Sequence, residues 1–388
     1  MPAAAQVTAY LDGLLAELVA RSAGRAPRSD VLPIPVIDDP ATARHMLMHP
    51  EVFEKNYAFL DALARARLSS NGADWRQRRA LTQTAYAQAP IAQNAQAVLS
   101  VYARHLAAGE VLDADKLTAR FTSAAVEVFS AALGLAAPIP WPEDTMRRVR
   151  ETLKLRQWID WNGCAAEDLV AVDEALQDQR SALSAQWQGR ADTGELLARW
   201  RAAGRDIVEF DAAEELLQGL LAATETTAST LLWAVDLLST RPELQERLAA
   251  QPQHIDRCID EVLRLFPPVP FLTRRCVAAH EFKARRWAAG ELTSISIVGL
   301  HRHPAHWQRP QQFDPARAEF DVSPPPLAYL PFSRGERVCA GMRLARIELR
   351  AGLEAFLGLR RGLPGPVATQ FDYGLVSRPR TSLSAPRH

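Results

Sequence analysis

Pro331-Phe332-Ser333-Arg334-Gly335-Glu336-Arg337-Val338-Cys339-Ala340-Gly341 is the stretch on which the reading of this chain turns. It is a short loop that ends in one cysteine, and a long helical pattern follows from Met342 to about Leu359. Phe332, Gly335, Arg337, Cys339 and Gly341 set the spacing F-x-x-G-x-R-x-C-x-G. A lone cysteine is most often a small buried hydrophobe. Five positions matched together carry more, since chance supplies the pattern in on the order of one in ten thousand chains of this length. Cys339 sits where a helix begins, so backbone N–H groups at Ala340 and Gly341 are expected to face its sulfur. A helix N-terminus favours an anion and lowers a thiol pKa, which suits a thiolate metal ligand.

The loop resembles the haem-ligand loop of the cytochrome P450 family, the haem-thiolate monooxygenases. The resemblance implies haem b, its iron held by the axial thiolate of Cys339. It implies that Phe332 packs near the sulfur and excludes water. Gly335 and Gly341 would permit tight backbone and close approach to a flat macrocycle. Arg337 would present its fork of donors to a haem propionate.

Composition leaves this reading open and closes others. Lys+Arg 45 balances Asp+Glu 45, so no excess charge points to nucleic acid. The hydrophobic content of 48% is ample for a large core. The cysteines, Cys164, Cys258, Cys276 and Cys339, are widely spaced, which argues against zinc and disulfide frameworks and fits a reducing, cytoplasmic setting. Residues from about 5 to 22 read as a peripheral amphipathic helix interrupted by Asp12 and Glu17, so neither a signal peptide nor a membrane anchor is expected.

Upstream motifs follow in the order the family would require. Asp30 to Asp38 reads as extended, Pro40 opens a helix to about Met48, and Phe53 to Ser70 is apolar on one face but poorly capped. Trp75 and Arg79 share a face of a predicted helix running to about Ala87. A tryptophan and arginine at this spacing are by themselves an ordinary packed pair. The resemblance makes them the pair at the haem edge, both directed to a propionate. Asn94 to about Ala203 reads as mostly helical, with a break at Pro138–Pro142, and Trp158, Trp161 and Trp187 read as packing residues.

Phe210 to Leu238 is the longest helical pattern and is apolar almost all round, as a helix through the middle of a protein should be. Inside it, Ala222-Ala223-Thr224-Glu225-Thr226-Thr227 resembles the family's oxygen-activation motif, with Ala223 in place of the usual glycine. The resemblance assigns Thr226 to hydrogen-bond dioxygen and Glu225 to relay protons, with Ala222 and Ala223 leaving room beside the haem. A threonine hydroxyl bonding back one turn is also expected to open the helix locally. Glu261 and Arg264 form an E-x-x-R that the resemblance joins to Arg317 in a structural network. Arg274 is the expected second propionate arginine, with Arg275 a competitor. Phe282 to Ile297 reads as two strands around Gly290, and His301 receives no haem role.

The expected fold is therefore mainly α with a small β-rich lobe, one triangular domain over residues 1–388. The expected reaction inserts one oxygen atom of dioxygen into a lipophilic substrate in secondary metabolism. Electrons would come from a ferredoxin or flavodoxin with its reductase, docking on Arg76, Arg78, Arg343 and Arg346. Phe59, Leu220, Val269, Phe271, Leu272 and Leu375 are the expected pocket residues. A peroxide-using or non-oxidative enzyme of the same fold, and a haem-binding sensor, are the alternatives.

Overall fold

The computed structural model describes residues 2, 4–22, 34–87, 94–107, 114–323, 325–359, 370–373 and 376–380. Within them the chain runs through α1 (Ala4–Ser22), β1 (Val36–Ile37), α2 (Pro40–Met48), β2 (Phe53–Lys55), α3 (Ala58–Leu63) and α4 (Gly72–Ala87). The middle of the chain is helical: α5 (Ala95–Leu106), α6 (Ala114–Ala132), α7 (Glu143–Asn162), α8 (Ala166–Gln188), α9 (Ala191–Ala203) and α10 (Ala212–Ser239). Then come α11 (Pro242–Ala250), α12 (Ile255–Leu265), β3 (Phe271–Cys276), β4 (His280–Phe282), β5 (Arg285–Trp287), β6 (Leu292–Ser296) and the short α13 (Ile297–Leu300). The last elements are α14 (Met342–Gly358), β7 (Gln370–Tyr373) and β8 (Ser377–Arg380). The fold is mainly α, with small sheets set to one side.

Local chemistry sets the helix starts. Asp39 accepts the Thr42 N–H at 2.8 Å and Pro40 occupies the first turn of α2. Asp211 accepts the Ala213 N–H at 2.7 Å at the start of α10. From there α10 serves two cores. Ala212 to Leu221 pack with α3, α6, α7, α8 and α9, while Ala228 to Leu238 pack with α5, α6, α12 and α14. Between those halves, Ala222, Ala223, Thr226 and Thr227 face the cavity. The helix stays continuous through its threonines, so the expected local opening does not occur.

The principal sheet has the order β1-β6-β3-β2, with β1 parallel to β6 and the remaining pairs antiparallel. The strands expected around Gly290 are arranged differently. β5 pairs with β4 across a turn at Lys283 (φ 52°), and Gly290 (φ 82°) returns the chain to β3 by donating to Cys276 O at 2.7 Å. Residues 30–33 of the expected first extended segment lie outside the described residues.

Phe53 to Ser70 divides into β2, α3 and a loop that α10 straps down. The Arg65, Arg67 and Leu68 N–H groups donate to Glu214 Oε2 (2.7 Å), Glu215 Oε2 (3.1 Å) and Gln218 Oε1 (3.1 Å). Gln218 Nε2 donates in return to Ala64 O at 2.5 Å. α1 buries Val7, Leu11, Leu14, Leu15 and Leu18 against Phe271 and Val298.

Candidate active site

A cavity of about 360 Å³ lies between α10, α14, β3 and the loop before α14. Its wall includes Cys339, Phe332, Arg337, Gly341, Trp75, Ala222, Ala223 and Thr226. These residues are far apart along the chain, and the fold brings them to one surface.

The cysteine loop is shaped by its hydrogen bonds. Cys339 N–H donates to Phe332 O at 2.9 Å, closing the loop around a 3-10 turn over Gly335–Arg337. Gly335 has φ 76°, and a Cβ there would stand 2.5 Å from Leu47 O, so only glycine fits. Gly341 is different: its φ of −87° suits any residue and a Cβ would meet no protein atom. What its small size leaves open is cavity wall.

Cys339 is exposed, and the cavity is where its surface lies. Burial pushes its thiol up, while the N–H groups of Gly341 and Met342 and the charges of Lys55 and Arg67 pull it back toward the thiolate. The amides facing the sulfur are therefore one residue later than Ala340 and Gly341, because α14 starts at Met342.

The strongest electrostatic feature of the wall is cationic: Lys55 and Arg337 line it, and Arg274 is buried beside them without lining it. Lys55 on β2 stands directly opposite Arg274 on β3. Like charges in register across a sheet repel. Arg337 joins them, its guanidinium 4.3 Å from the Trp75 ring centre and donating to Ser70 O at 2.9 Å. Burial and then Arg274 lower the Arg337 pKa to about 10. Burial, Arg337 and Arg274 hold Lys55 well below the usual lysine range, and Arg274 is lowered by burial. Among the described residues none of these three forms an ion pair with a carboxylate, while Arg274 bonds Thr273 O and Tyr57. Such a cluster is a site for an anion. It fits the two propionates of haem, beside a thiol and under small residues of α10. Arg275 turns outward to Asn56 Oδ1 at 2.7 Å, so Arg274 is the arginine of this cluster.

Arg79 is a correction. It stacks on Trp75 at 5.1 Å but donates to Gln83 Oε1, and it is not part of the cavity wall. Lys55 and Arg67, by contrast, line the wall. The signal for Lys55 was available only as register, since a lone lysine in Phe-Glu-Lys shows nothing.

On α10, Thr226 Oγ1 donates to Ala222 O at 2.8 Å, so it offers the cavity an acceptor. Glu225 points elsewhere. It is 1% exposed, does not line the cavity, and pairs with Arg150 (3.2 Å) on α7 and with Arg378 on β8. Glu225 thus also ties α10 to α7 and β8, because one helix step turns its side chain about 100° from Thr226.

Phe59, Val269, Phe271 and Leu272 line the cavity. Leu220 does not: it is fully buried in the second core, and Gly219 and Leu221 face the cavity instead. Leu375 lies outside the described residues, and neighbouring Val376 lines the wall. Trp161, expected to be packing, also lines it, 5.5 Å from Phe271 between ring centres. Gln157 and Asp160 on the same face of α7 add polarity that the sequence pattern did not reveal.

Behind the cysteine loop, Glu261 joins both arginines of the expected network. It accepts from Arg264 at 2.7 and 2.8 Å and from Arg317 Nε at 2.9 Å. His301 supports the same region. Its Nε2 accepts the Leu330 N–H at 2.8 Å, and burial lowers its pKa to about 3, keeping it neutral.

Comparisons with known proteins agree with this geometry. The family model described as Cytochrome P450 matches residues 171–359. Cytochrome P450 4A14 of Rattus norvegicus is 35% identical over 182 residues, covering 42% of this chain and 36% of that protein. Thromboxane-A synthase of Rattus norvegicus is 34% identical, over 34% of this chain and 29% of that protein. The chain thus spans about a third of the length of these curated relatives. Among solved structures, CYP175A1 from Thermus thermophilus superposes with TM-score 0.75 at 22% identity, covering 95% of this chain and 94% of that one. A mutant of P450 EryK in complex with erythromycin B superposes with TM-score 0.71 at 21% identity, covering 100% of both chains.

Proposed function

The chain belongs to the cytochrome P450 family, and from that premise we propose that it is a haem-thiolate monooxygenase acting on a lipophilic small molecule. The net reaction is R–H + O2 + 2 e⁻ + 2 H⁺ → R–OH + H2O. Haem b, when bound, would supply the oxygen chemistry, with a cysteine thiolate as its protein ligand. Cys339 is that ligand, held by the loop that Gly335 and the Glu261 network shape. Arg337, Arg274, Lys55 and Trp75 hold the propionates. Thr226 presents its acceptor oxygen to the cavity, and Phe59, Val269, Phe271 and Leu272 orient an apolar substrate while excluding water.

The observation that carries this reading is the cation pair of Lys55 and Arg337 on the wall that also holds Cys339, with Arg274 buried opposite Lys55. Such a cluster is stable when an anion sits against it. The test is the absorption spectrum of the purified protein, reduced and exposed to carbon monoxide. A Soret band strongly red-shifted from that of a histidine-ligated haem supports thiolate ligation by Cys339. A histidine-like band, or no haem, overturns it. Consumption of reductant stimulated by a substrate distinguishes an enzyme from a haem-binding carrier.

Electrons come from a separate ferredoxin or flavodoxin with its reductase. The docking face is narrower than the sequence suggested. Arg78 is fully buried against Asp74 and Glu215, and Arg346 is engaged by Asp260. Arg76 and Arg343 are exposed, as are Met48, Val338 and Met342 beside the cysteine loop. Basic residues around an apolar centre suit an acidic redox protein. The free cysteines fit a cytoplasmic setting. No helix among the described residues is long and apolar enough to cross a membrane.

A further inference from the structure

We propose that the substrate of this cavity is a lipophilic amine, its ammonium group held by the Asp160 carboxylate beside Trp161 and Phe59 and its hydrocarbon body reaching toward Cys339. The inference rests on the monooxygenase reading and names the substrate class for the same site.

Gln157, Asp160 and Trp161 stand at i, i+3 and i+4 near the end of α7, so one helix face carries all three into the cavity wall. A few polar groups in an apolar wall fix how a ligand lies. α3 packs against α7 and brings Phe59, whose backbone N–H donates to the Asp160 carboxylate. Phe271 of β3 lies against Trp161 with 5.5 Å between ring centres. A carboxylate framed by aromatic rings suits an alkylammonium ion, which pairs with the acid and is attracted to the ring faces.

The protein only half answers the charge on Asp160. Arg156 donates to Asp160 through Nη1 and to Asp173 through Nε at 2.7 Å, so one guanidinium serves two carboxylates. Burial raises the Asp160 pKa, and Arg156 offsets only part of the rise. A carboxylate accepts about four hydrogen bonds, and Arg156 and the Phe59 N–H supply two of them.

Among the described residues, the other charges on the wall are answered. Lys55 and Arg337, with Arg274 behind them, face the propionates. Glu215 has Arg78 and Arg67 beside it. Glu348 accepts the Tyr102 O–H at 3.3 Å, and burial pushes its carboxyl well above the usual carboxylate range, so it adds no charge. The charge left over on the haem-loaded wall is negative and sits at the end of α7. It favours a cationic head group over a neutral one and repels an anionic one.

The test is calorimetric binding to the haem-loaded protein, with decyltrimethylammonium, decanol and decanoate as probes. The quaternary ammonium has no lone pair and cannot ligate iron, so its affinity reports recognition by the wall. It is expected to bind about 10-fold more tightly than decanol, the worth of one charge-assisted contact, with decanoate weakest. Asp160→Asn should erase this preference, and Asp160→Glu should restore part of it. Arg156→Met releases the carboxylate and should strengthen ammonium binding, whereas a purely structural ion pair would give unstable variants with the probe order unchanged. Trp161→Leu leaves the ion pair intact and should weaken the ammonium probe more than decanol, which keeps the question decidable if the ion-pair variants fail to fold. Decanol or decanoate binding as tightly as the ammonium in wild type overturns the inference, as does a preference that survives in D160N. A protein that takes up no haem, or shows a histidine-like band with carbon monoxide, overturns the monooxygenase reading itself, and that result is read before any probe is added.

Discussion

Replacing Lys55 with methionine tests whether the cation cluster is built for an anion. In the apoprotein, Lys55 faces Arg274 in register and is further opposed by Arg337. Removing it relieves a cross-strand repulsion of about 0.2–1 kcal/mol. It also forfeits the Lys55 Nζ donation to Leu68 O at 3.3 Å, a bond that contributes about 1 kcal/mol. These nearly cancel, so apoprotein stability should change by less than about 1 kcal/mol. In the holoprotein, a charge-assisted bond of about 1.5–3 kcal/mol to a propionate is lost. At about 1.4 kcal/mol per decade, haem affinity should fall roughly 10- to 100-fold. Urea unfolding of the apoprotein measures the first quantity, and haem transfer to a competing apo-haem protein measures the second. A variant that loses several kcal/mol as apoprotein while keeping wild-type haem affinity would show that Lys55 is structural and that the cluster is not an anion site.

Glu261→Gln leaves Arg264 and Arg317, both essentially unexposed, without their shared anion, and is expected to cost about 3–5 kcal/mol in unfolding experiments, with a matching loss of haem content. Asp236 offers a pH test. Its Oδ1 has no hydrogen-bond partner, and burial raises its pKa from 3.8 to about 6. The folded protein therefore keeps this proton between those values while the unfolded chain releases it. Stability declines as pH rises through that window, and above about 6 the penalty is constant. Asp236→Asn should stabilise the protein at pH 8, by on the order of 3 kcal/mol at about 1.4 kcal/mol per pKa unit, and change little near pH 4. Reversing Arg76 and Arg343 to glutamate should slow reduction by an acidic redox partner and flatten its salt dependence, as stopped-flow reduction would show; unchanged rates would remove that face from the docking site.

Some of this site was legible in the residues themselves, and some was not. The cysteine loop could be read because its members act locally, with Gly335 meeting a positive φ and Cys339 preceding a helix start. The length of α10 and its two-sided burial followed from an unbroken apolar pattern. These are properties of neighbours along the chain. The surroundings of Glu225 could not be read because its partners, Arg150 and Arg378, arrive from α7 and β8. Leu220 and Leu221 were exchanged because helix phase relative to a cavity depends on what packs behind it. Lys55 and Glu348 had no sequence signal, since a lysine in a strand and a glutamate in a helix are ordinary until their surroundings are known.

Hydrophobic period, glycine conformation and capping act over a few residues, so the helices, the thiol at a helix start and the mainly α class were already written along the chain. Which charges are compensated was settled only by packing. β2 against β3 sets Lys55 beside Arg274, α10 against α7 and β8 neutralises Glu225, and α14 against α5 leaves Glu348 with a phenol. Whether a buried charge is paired or desolvated depends on groups brought from far along the chain.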